Sequence, residues 1–351
     1  MINEKAARSV QPFCPYRQMR KILVLLSFFA VLAATAQEVT PRKQQRLSRW
    51  HVPPANYSGI TWLGEDRYAV VSDKDSLDGW YEFRIQLDPA KGRVKQAERL
   101  AFHGTHTGTS ARDAEGIAYF PERNTLFIAA ESDQRVLEFS DSGQLTGREL
   151  QLPAQVSPDS IYGNYGLESL TYNSHTHTFW TVTEHSLKAD GEKSTAGNKV
   201  PCKLRLLAFG DDLKLKGEYH YETDVPQARK ENSRYAFGVS ALTALDDGSL
   251  LVLEREFYVA RKFMGSWVRC KIYRVFPAAQ ETPLKKEFMY SFTTNLNLTR
   301  RNLANYEGMC LGPVLDDGSR ALLLLSDSQG GFGNSTYHLR DYIRVLRLSG
   351  F

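Results

Sequence analysis

Eight acidic residues recur at the ends of short apolar runs, and their placement points to one shared site. Glu115, Glu168 and Glu307 each open a run, in Asp113-Ala114-Glu115-Gly116-Ile117-Ala118-Tyr119, Gly166-Leu167-Glu168-Ser169-Leu170-Thr171-Tyr172 and Tyr306-Glu307-Gly308-Met309-Cys310-Leu311. Asp73, Glu131, Glu184, Glu254 and Asp327 each close a second run. Carboxylates brought together disfavour one another's ionised form, so a ring of them calls for a cation. Ca2+, a hard ion that takes several oxygen ligands, is the simplest candidate. Asp113, Asn164 and Asn305 lie beside the opening acids and would add ligands. Lys74, Arg135, His185 and Arg255 are interleaved with the acids. Arg255 would either pair within the ring or present its planar fork to a phosphate or carboxylate. A metal beside an arginine suits ester hydrolysis: the ion polarises the ester and activates water, and a carboxylate serves as base. On this reading Glu168, Glu307 and Arg255 are the catalytic candidates, and Glu115, Glu131, Glu168, Glu254, Glu307 and Asp327 the metal candidates. The competing reading is that each acid only bonds backbone N–H groups in a turn. For Glu115, Glu168 and Glu307 their identical placement in three repeats argues against it.

The elements that must carry these residues are strands. Each acid-opened run is followed by a turn and a second apolar run, as in 113–119 and 125–133. Two further copies, 58–62 with 68–73 and 239–243 with 250–255, keep the rhythm without the opening acid. Third runs at 80–87, 135–139, 204–209, 271–276 and 342–348 include several that alternate apolar and polar residues, the period of a sheet with one covered face. Fourth runs follow at 147–152, 216–222 and 287–292. No amphipathic helical stretch exceeds a turn or two. Four strands per repeat, recurring at intervals of roughly 50–70 residues, imply an all-β fold, a β-propeller with insertions. Five blades are counted, with a sixth, too degenerate to see, as the alternative. An open sandwich would not explain the recurrence. The last repeat ends on its third strand, so residues 45–57 are expected to supply the fourth and close the ring, which removes an open edge. The domains read as 37–44, a linker, and 45–351, a single propeller. The longer insertions, at 102–112, 153–165, 185–202, 223–237, 294–305 and 328–340, mostly precede a first strand or follow a second. Both places lie at one end of an antiparallel blade, the end that carries the acids.

The chain has 44 Lys/Arg against 40 Asp/Glu. Residues 1–36 hold five of those bases and one of those acids, so the remainder carries 39 of each and offers no footprint for nucleic acid. Residues 1–36 read as an export signal: basic Arg17, Arg20 and Lys21, the 12-residue apolar run 22–33, then Ala34-Thr35-Ala36 as a cleavage site. The run is too short for an ordinary membrane span. A periplasmic or secreted protein without a membrane anchor is expected, working as a monomer on a small-molecule ester or phosphate. Export permits disulfides, and Cys202 and Cys270, at comparable places in successive repeats, could pair. Cys310, inside an apolar strand, is expected as a buried thiol. His175 and His177 sit in a turn opposite the acids and read as surface residues; His103 and His106 fall in a long loop at the acidic end. Ser110, Ser169 and Ser240 lack a nucleophile-elbow context. No nucleotide motif is present.

The motifs Asp113-Ala114-Glu115-Gly116-Ile117-Ala118, Ala129-Ala130-Glu131-Ser132-Asp133, Tyr165-Gly166-Leu167-Glu168-Ser169-Leu170, Val252-Leu253-Glu254-Arg255-Glu256, Asn305-Tyr306-Glu307-Gly308-Met309 and Leu324-Leu325-Ser326-Asp327-Ser328 resemble, in order and spacing, the phytase-like β-propeller family with esterase-like activity, found among exported bacterial proteins. The resemblance covers roughly residues 50–350. It implies a propeller with phosphoesterase or esterase activity and, by analogy with calcium-binding propeller phytases, an acid-ringed metal site. Those enzymes carry several lysines in their acidic cleft; this chain has few near its ring. Two other readings stand beside hydrolysis of a phosphate or carboxylate ester. One is a metal-dependent propeller similar to sugar lactonases. The other is a non-catalytic propeller that holds a glycan or peptide with Trp80, Tyr165 and Tyr306.

Overall fold

The computed structural model describes residues 37–107, 112–230, 234–279, 281–333 and 337–351. The stretch read as an export signal, 1–36, lies outside the described residues, as does Ser110. The chain opens with β1 (Glu38–Pro41) and β2 (Gln45–Arg46). The first blade is β3 (Tyr57–Gly64), β4 (Arg67–Ser72), β5 (Asp78–Asp88) and β6 (Arg93–Thr105). The second is β7 (Ala114–Phe120), β8 (Thr125–Ala130), β9 (Arg135–Ser140) and β10 (Leu145–Glu149). The third is β11 (Leu167–Asn173), β12 (Thr178–Thr183), β13 (Lys203–Phe209) and β14 (Leu215–Glu222). The fourth is β15 (Tyr235–Ala244), β16 (Leu250–Tyr258), β17 (Ser266–Val275) and β18 (Glu287–Leu296). The fifth begins with β19 (Asn305–Val314), β20 (Arg320–Asp327) and β21 (Tyr342–Ser349). The five antiparallel sheets form a five-bladed propeller.

The ring is closed by an N-terminal strand, but not by the whole segment expected. β1 pairs with the second half of β21, from Glu38 opposite Ser349 to Pro41 opposite Leu346. β2 pairs with its start, Gln45 opposite Ile343. Between 47 and 57 the chain leaves the sheet: Leu47–Trp50 is a 3-10 turn whose Leu47 is buried. Residues 38–41 therefore belong to the propeller rather than to a linker. The first blade differs as well. Phe102 to Thr105, read as loop, extend β6 and pair with Asp78 to Tyr81.

Blades pack face to face through apolar clusters. Phe120, Phe127 and Phe179 meet at the second and third blades, and Leu322, Leu324, Val268 and Ile272 at the fourth and fifth. The inner strands approach more closely than side chains allow. A Cβ on Gly59 would lie 2.5 Å from the Glu115 carbonyl oxygen, one on Gly116 2.6 Å from the Leu170 nitrogen, and one on Gly308 2.6 Å from the Ser58 carbonyl oxygen. The glycine after the opening position in these three blades is thus required by its neighbour's backbone. Gly116→Ala should destabilise the fold by about 1–3 kcal/mol through overpacking against rigid backbone. Gly191→Ala, which meets nothing within 4 Å, should be close to neutral. Denaturant midpoints compare the two, and equal midpoints would refute the packing argument.

Candidate functional site

Each first strand carries a register break at one equivalent point: between Tyr57 and Ile60, Ala114 and Gly116, Leu167 and Ser169, Val239 and Ala241, and Tyr306 and Gly308. A bulge inserts a residue and re-aims its side chain. The bulged positions hold Ser58, Glu115, Glu168, Ser240 and Glu307. On the second strands, the residues paired just before each break are Ser72, Ala130, Thr183, Glu254 and Ser326. The next residue along the chain is Asp73, Glu131, Glu184, Arg255 and Asp327, the first three just past the end of their strand. Two five-membered tiers result, one of three glutamates and two serines, one of four acids and an arginine.

The three glutamates of the first tier and the whole second tier line a cavity of about 360 Å³ together with Asp113, Lys74, Asn56, Asn164, Tyr165 and Gln329. Its walls carry eight carboxylates (Asp73, Asp113, Glu115, Glu131, Glu168, Glu184, Glu307 and Asp327) against two cations, Lys74 and Arg255. Glu254 is the exception among the acids expected here. Its equivalent in the other blades is apolar or uncharged, and alternation along β16 turns it away from the axis while Arg255 faces inward. Glu254 instead accepts hydrogen bonds from the Tyr221 hydroxyl (2.7 Å), Lys286 Nζ (2.8 Å) and the Asp224 amide (3.1 Å). It is not a candidate ligand of this cavity.

Arg255 is only 4% exposed. Its Nη1 donates to Glu307 and, at 3.0 Å, to Asn305 Oδ1; its Nη2 donates to Glu184 and lies 3.8 Å from Glu168. Asn305 Nδ2 also donates to Glu307 (2.8 Å). Of the three catalytic candidates, Glu307 and Arg255 therefore hold each other, and Glu168 is the buried carboxylate left without a close donor. Opposite, Lys74 bridges Asp73 (2.8 Å) and Asp113 (2.7 Å) at the rim. Asp113 is held by the chain around it. Its backbone is left-handed, φ 62°, and its carbonyl accepts the Glu131 amide. Behind it the buried Arg112 forks onto Asp133 at 2.7 and 3.1 Å and caps the Arg135 carbonyl. Glu131 in turn accepts the Gly166 amide at 2.9 Å, which ties the second blade to the third.

Burial, joined by mutual repulsion at all of them but Glu184, raises the pKa of Asp73, Glu115, Glu131, Glu168, Glu184, Glu307 and Asp327. Glu115, Glu168 and Asp327 lie well above the carboxylate range, and Glu184, Glu307 and Asp73 are raised, in each case first by desolvation. Glu131 is pushed up to about 7, where a carboxylate can take or give a proton near neutrality. The donor set fits a hard divalent cation. Asp73, Asp113 and Glu115 offer oxygens that all lie within 4.8 Å of one another. Asp73 Oδ1 and Asn56 Oδ1 are buried there and accept no hydrogen bond from the described residues.

Other expectations are redistributed. Arg135 pairs with Glu149 away from the cavity. His185 is buried behind it, with Nε2 accepting the Ser194 amide (2.8 Å) and burial lowering its pKa to about 4. His103 lies on the outer strand β6, stacked on Trp80 and 3.3 Å from Glu82. His177 is an exposed partner of Asp211. Cys202, Cys270 and Cys310 are free and buried; Cys202 and Cys270 sit in separate blade cores, so no bridge forms. Of three aromatics expected at the mouth, Tyr165 lines it, whereas Trp80 and Tyr306 are buried in the packing. Sequence reasoning missed Arg112, Asn56 and Gln329. For Arg112 a signal was available, an arginine directly before the acid-opened motif.

In the chelated protein the raised carboxylates contribute stability that is complete below their unfolded value and is lost as pH rises through the folded one. His185, depressed, works in the opposite direction, gaining stability as pH rises to about 6.5. Above pH 6.5 only the carboxylate trend remains among these groups. Tm measured with chelator should therefore fall between pH 6.5 and 8, and less steeply in Glu131→Gln. A flat or rising Tm would show that the acids are not under the strain described.

No curated protein matches the chain in sequence. Among solved structures, a streptogramin B lyase is 12% identical with a TM-score of 0.40, covering 89% of this chain and 98% of that one. An aldose sugar dehydrogenase from Streptomyces coelicolor, in its PQQ-bound form, is 12% identical with a TM-score of 0.46, covering 89% and 98%. An endo-arabinase from Bacteroides thetaiotaomicron is 11% identical with a TM-score of 0.46, covering 86% and 96%. At these values nothing about chemistry carries over. The family model described as phytase-like, esterase-like activity of phytase, matches residues 53–329, a span holding every carboxylate of the cavity, and the chain belongs to that family.

Proposed function

We propose that this protein hydrolyses a small phosphate or carboxylate ester in the acidic cavity with the help of a divalent cation, Ca2+ first. The observation that carries this reading is the imbalance of eight carboxylates against two cations around one cavity. Asp73, Asp113 and Glu115 would hold the ion. When bound, it would polarise the ester and acidify a water molecule. The chain's own residues do the remaining work. Glu168, which has no close donor among the described residues, is the group proposed to take the proton from the attacking water once a bound cation has favoured its ionised form, and Glu131 is poised to pass a proton near neutral pH. Arg255 and Glu307 form a fixed ion pair at the throat, so their role in this reading is to position Glu168 and Glu184. Lys74, 59% exposed between two acids at the rim, is the cation an arriving anion meets first.

The reading includes export to the periplasm or beyond, supported by the composition of residues 1–36, and action as a monomer on a small molecule, without nucleic acid or membrane. A purely binding role for the mouth loses support because only one of its three expected aromatics faces the cavity.

Glu168→Gln keeps the side chain's shape and removes its charge. With Ca2+ present it should lower hydrolysis of aryl phosphates or aryl esters by at least about 100-fold, the scale of a lost general base. Its circular dichroism spectrum should stay unchanged. Undiminished turnover by a folded variant would remove Glu168 from the mechanism.

A further inference from the structure

The axial channel does not run open through the ring. Below Glu115, Glu168 and Glu307 it narrows to a neck of about 10 Å³ lined by Gly59, Gly116, Gly308, Ile117, Leu170 and Met309. That space is at the limit for one water molecule. Beyond the neck, on the face opposite the acids, lies a second cavity of about 310 Å³. The two cavities share no wall residue.

Their chemistry is opposite. The second cavity is walled by Trp62, Tyr119, Tyr172, Leu170, Leu311 and Met309. Its fixed positive charge is Arg320, whose guanidinium carbon lies 5.0 Å from the Trp62 ring centroid. Arg320 Nε is buried and donates to no described acceptor. No described carboxylate pairs with Arg320, and the one acid in the wall, Asp246, lies 3.6 Å from His175. The threonines are occupied by the fold: Thr61 Oγ1 accepts the Tyr119 amide, Thr171 Oγ1 accepts the Ala244 amide, and Thr243 donates to the Met309 carbonyl. Arg320 is thus an uncommitted charged donor of this wall, beside the Trp62 ring.

We propose that this cavity is a second ligand site, separate from the acidic one, and that it takes a small planar aromatic carboxylate. The carboxylate would accept from the Arg320 fork, a geometry that guanidinium and carboxylate share. The ring would lie against Trp62 and the Leu170 and Leu311 side chains. A pocket of this size that sets aromatic and aliphatic side chains beside placed polar groups is within the range of small-molecule sites. The proposal does not depend on hydrolysis at the other end.

Benzoate is the probe, titrated by calorimetry into chelator-treated protein, with benzylamine as the same ring bearing the opposite charge. Benzoate should bind at one saturable site, benzylamine should not, and added Ca2+ should leave benzoate affinity unchanged. Arg320→Gln should weaken benzoate by at least about tenfold, on the scale of a lost charge-assisted pair. Equal binding of the two probes, absence of benzoate binding, or Ca2+-dependent benzoate affinity would overturn the proposal, and so would unchanged affinity in a folded Arg320→Gln. If that variant does not fold, the comparison of probes on the native chain decides.

Discussion

Like-charge repulsion at the axis is the constraint around which this molecule is arranged. The inner strands bring Glu115, Glu168 and Glu307 to one point, and the ends of the second strands add four more acids just above. Two devices make that arrangement tolerable. The first is covalently simple: a single arginine in the fourth blade occupies the position that the other four blades give to an acid, and its fork reaches Glu184 and Glu307 at once. A buried charge network of this kind is costly to break, because removal of one member leaves the others unpaired in a low-dielectric space. The second device is protonation, visible in the raised pKa values of the buried members. A hard cation at Asp73, Asp113 and Glu115 would be a third, and the one the proposed hydrolysis calls for.

The scaffold serves this constraint. A bulge at the same point of five first strands directs one residue per blade to the axis, and glycine after it in three blades lets the strands approach to backbone contact. Hydrogen bonds between blades fix the heights of the tiers, as where Ser240 donates to the Tyr306 carbonyl and Gly166 donates to Glu131. Closure by β1 on β21 holds the last blade in the ring. Alternation inside a strand decides the rest: Arg255 faces the axis and Glu254 faces the Tyr221 and Lys286 side chains.

Much of this is legible in the sequence because repetition makes weak signals add. Paired runs, turns and opening acids recur often enough to give the fold, the five blades and the inner tier. What escapes the sequence is whatever depends on a single residue of register. Glu254 and Arg255 are adjacent, and only the strand pairing reveals which one stands in line with Asp73, Glu131, Glu184 and Asp327. The closing strand begins upstream of the expected 45–57, at β1, because β1 and β2 are short and have no apolar period to mark them. His103 looked like a loop residue because the long β6 is polar on its outer edge. Arg112 carries no periodic signal; its importance comes from a fork onto Asp133 that exists only once the two strand ends meet.

The central claim is that the acidic cavity binds a divalent cation. The most direct test is calorimetric titration of the chelated protein with Ca2+ at neutral pH in two buffers of different ionisation enthalpy, which reads stoichiometry and proton release together. The account predicts a saturable site near one ion per chain, with protons released because raised carboxylates must deprotonate to ligate. Saturation without proton release, or no binding at all, would contradict it and leave the ring as a neutralised structural plug held by Arg255.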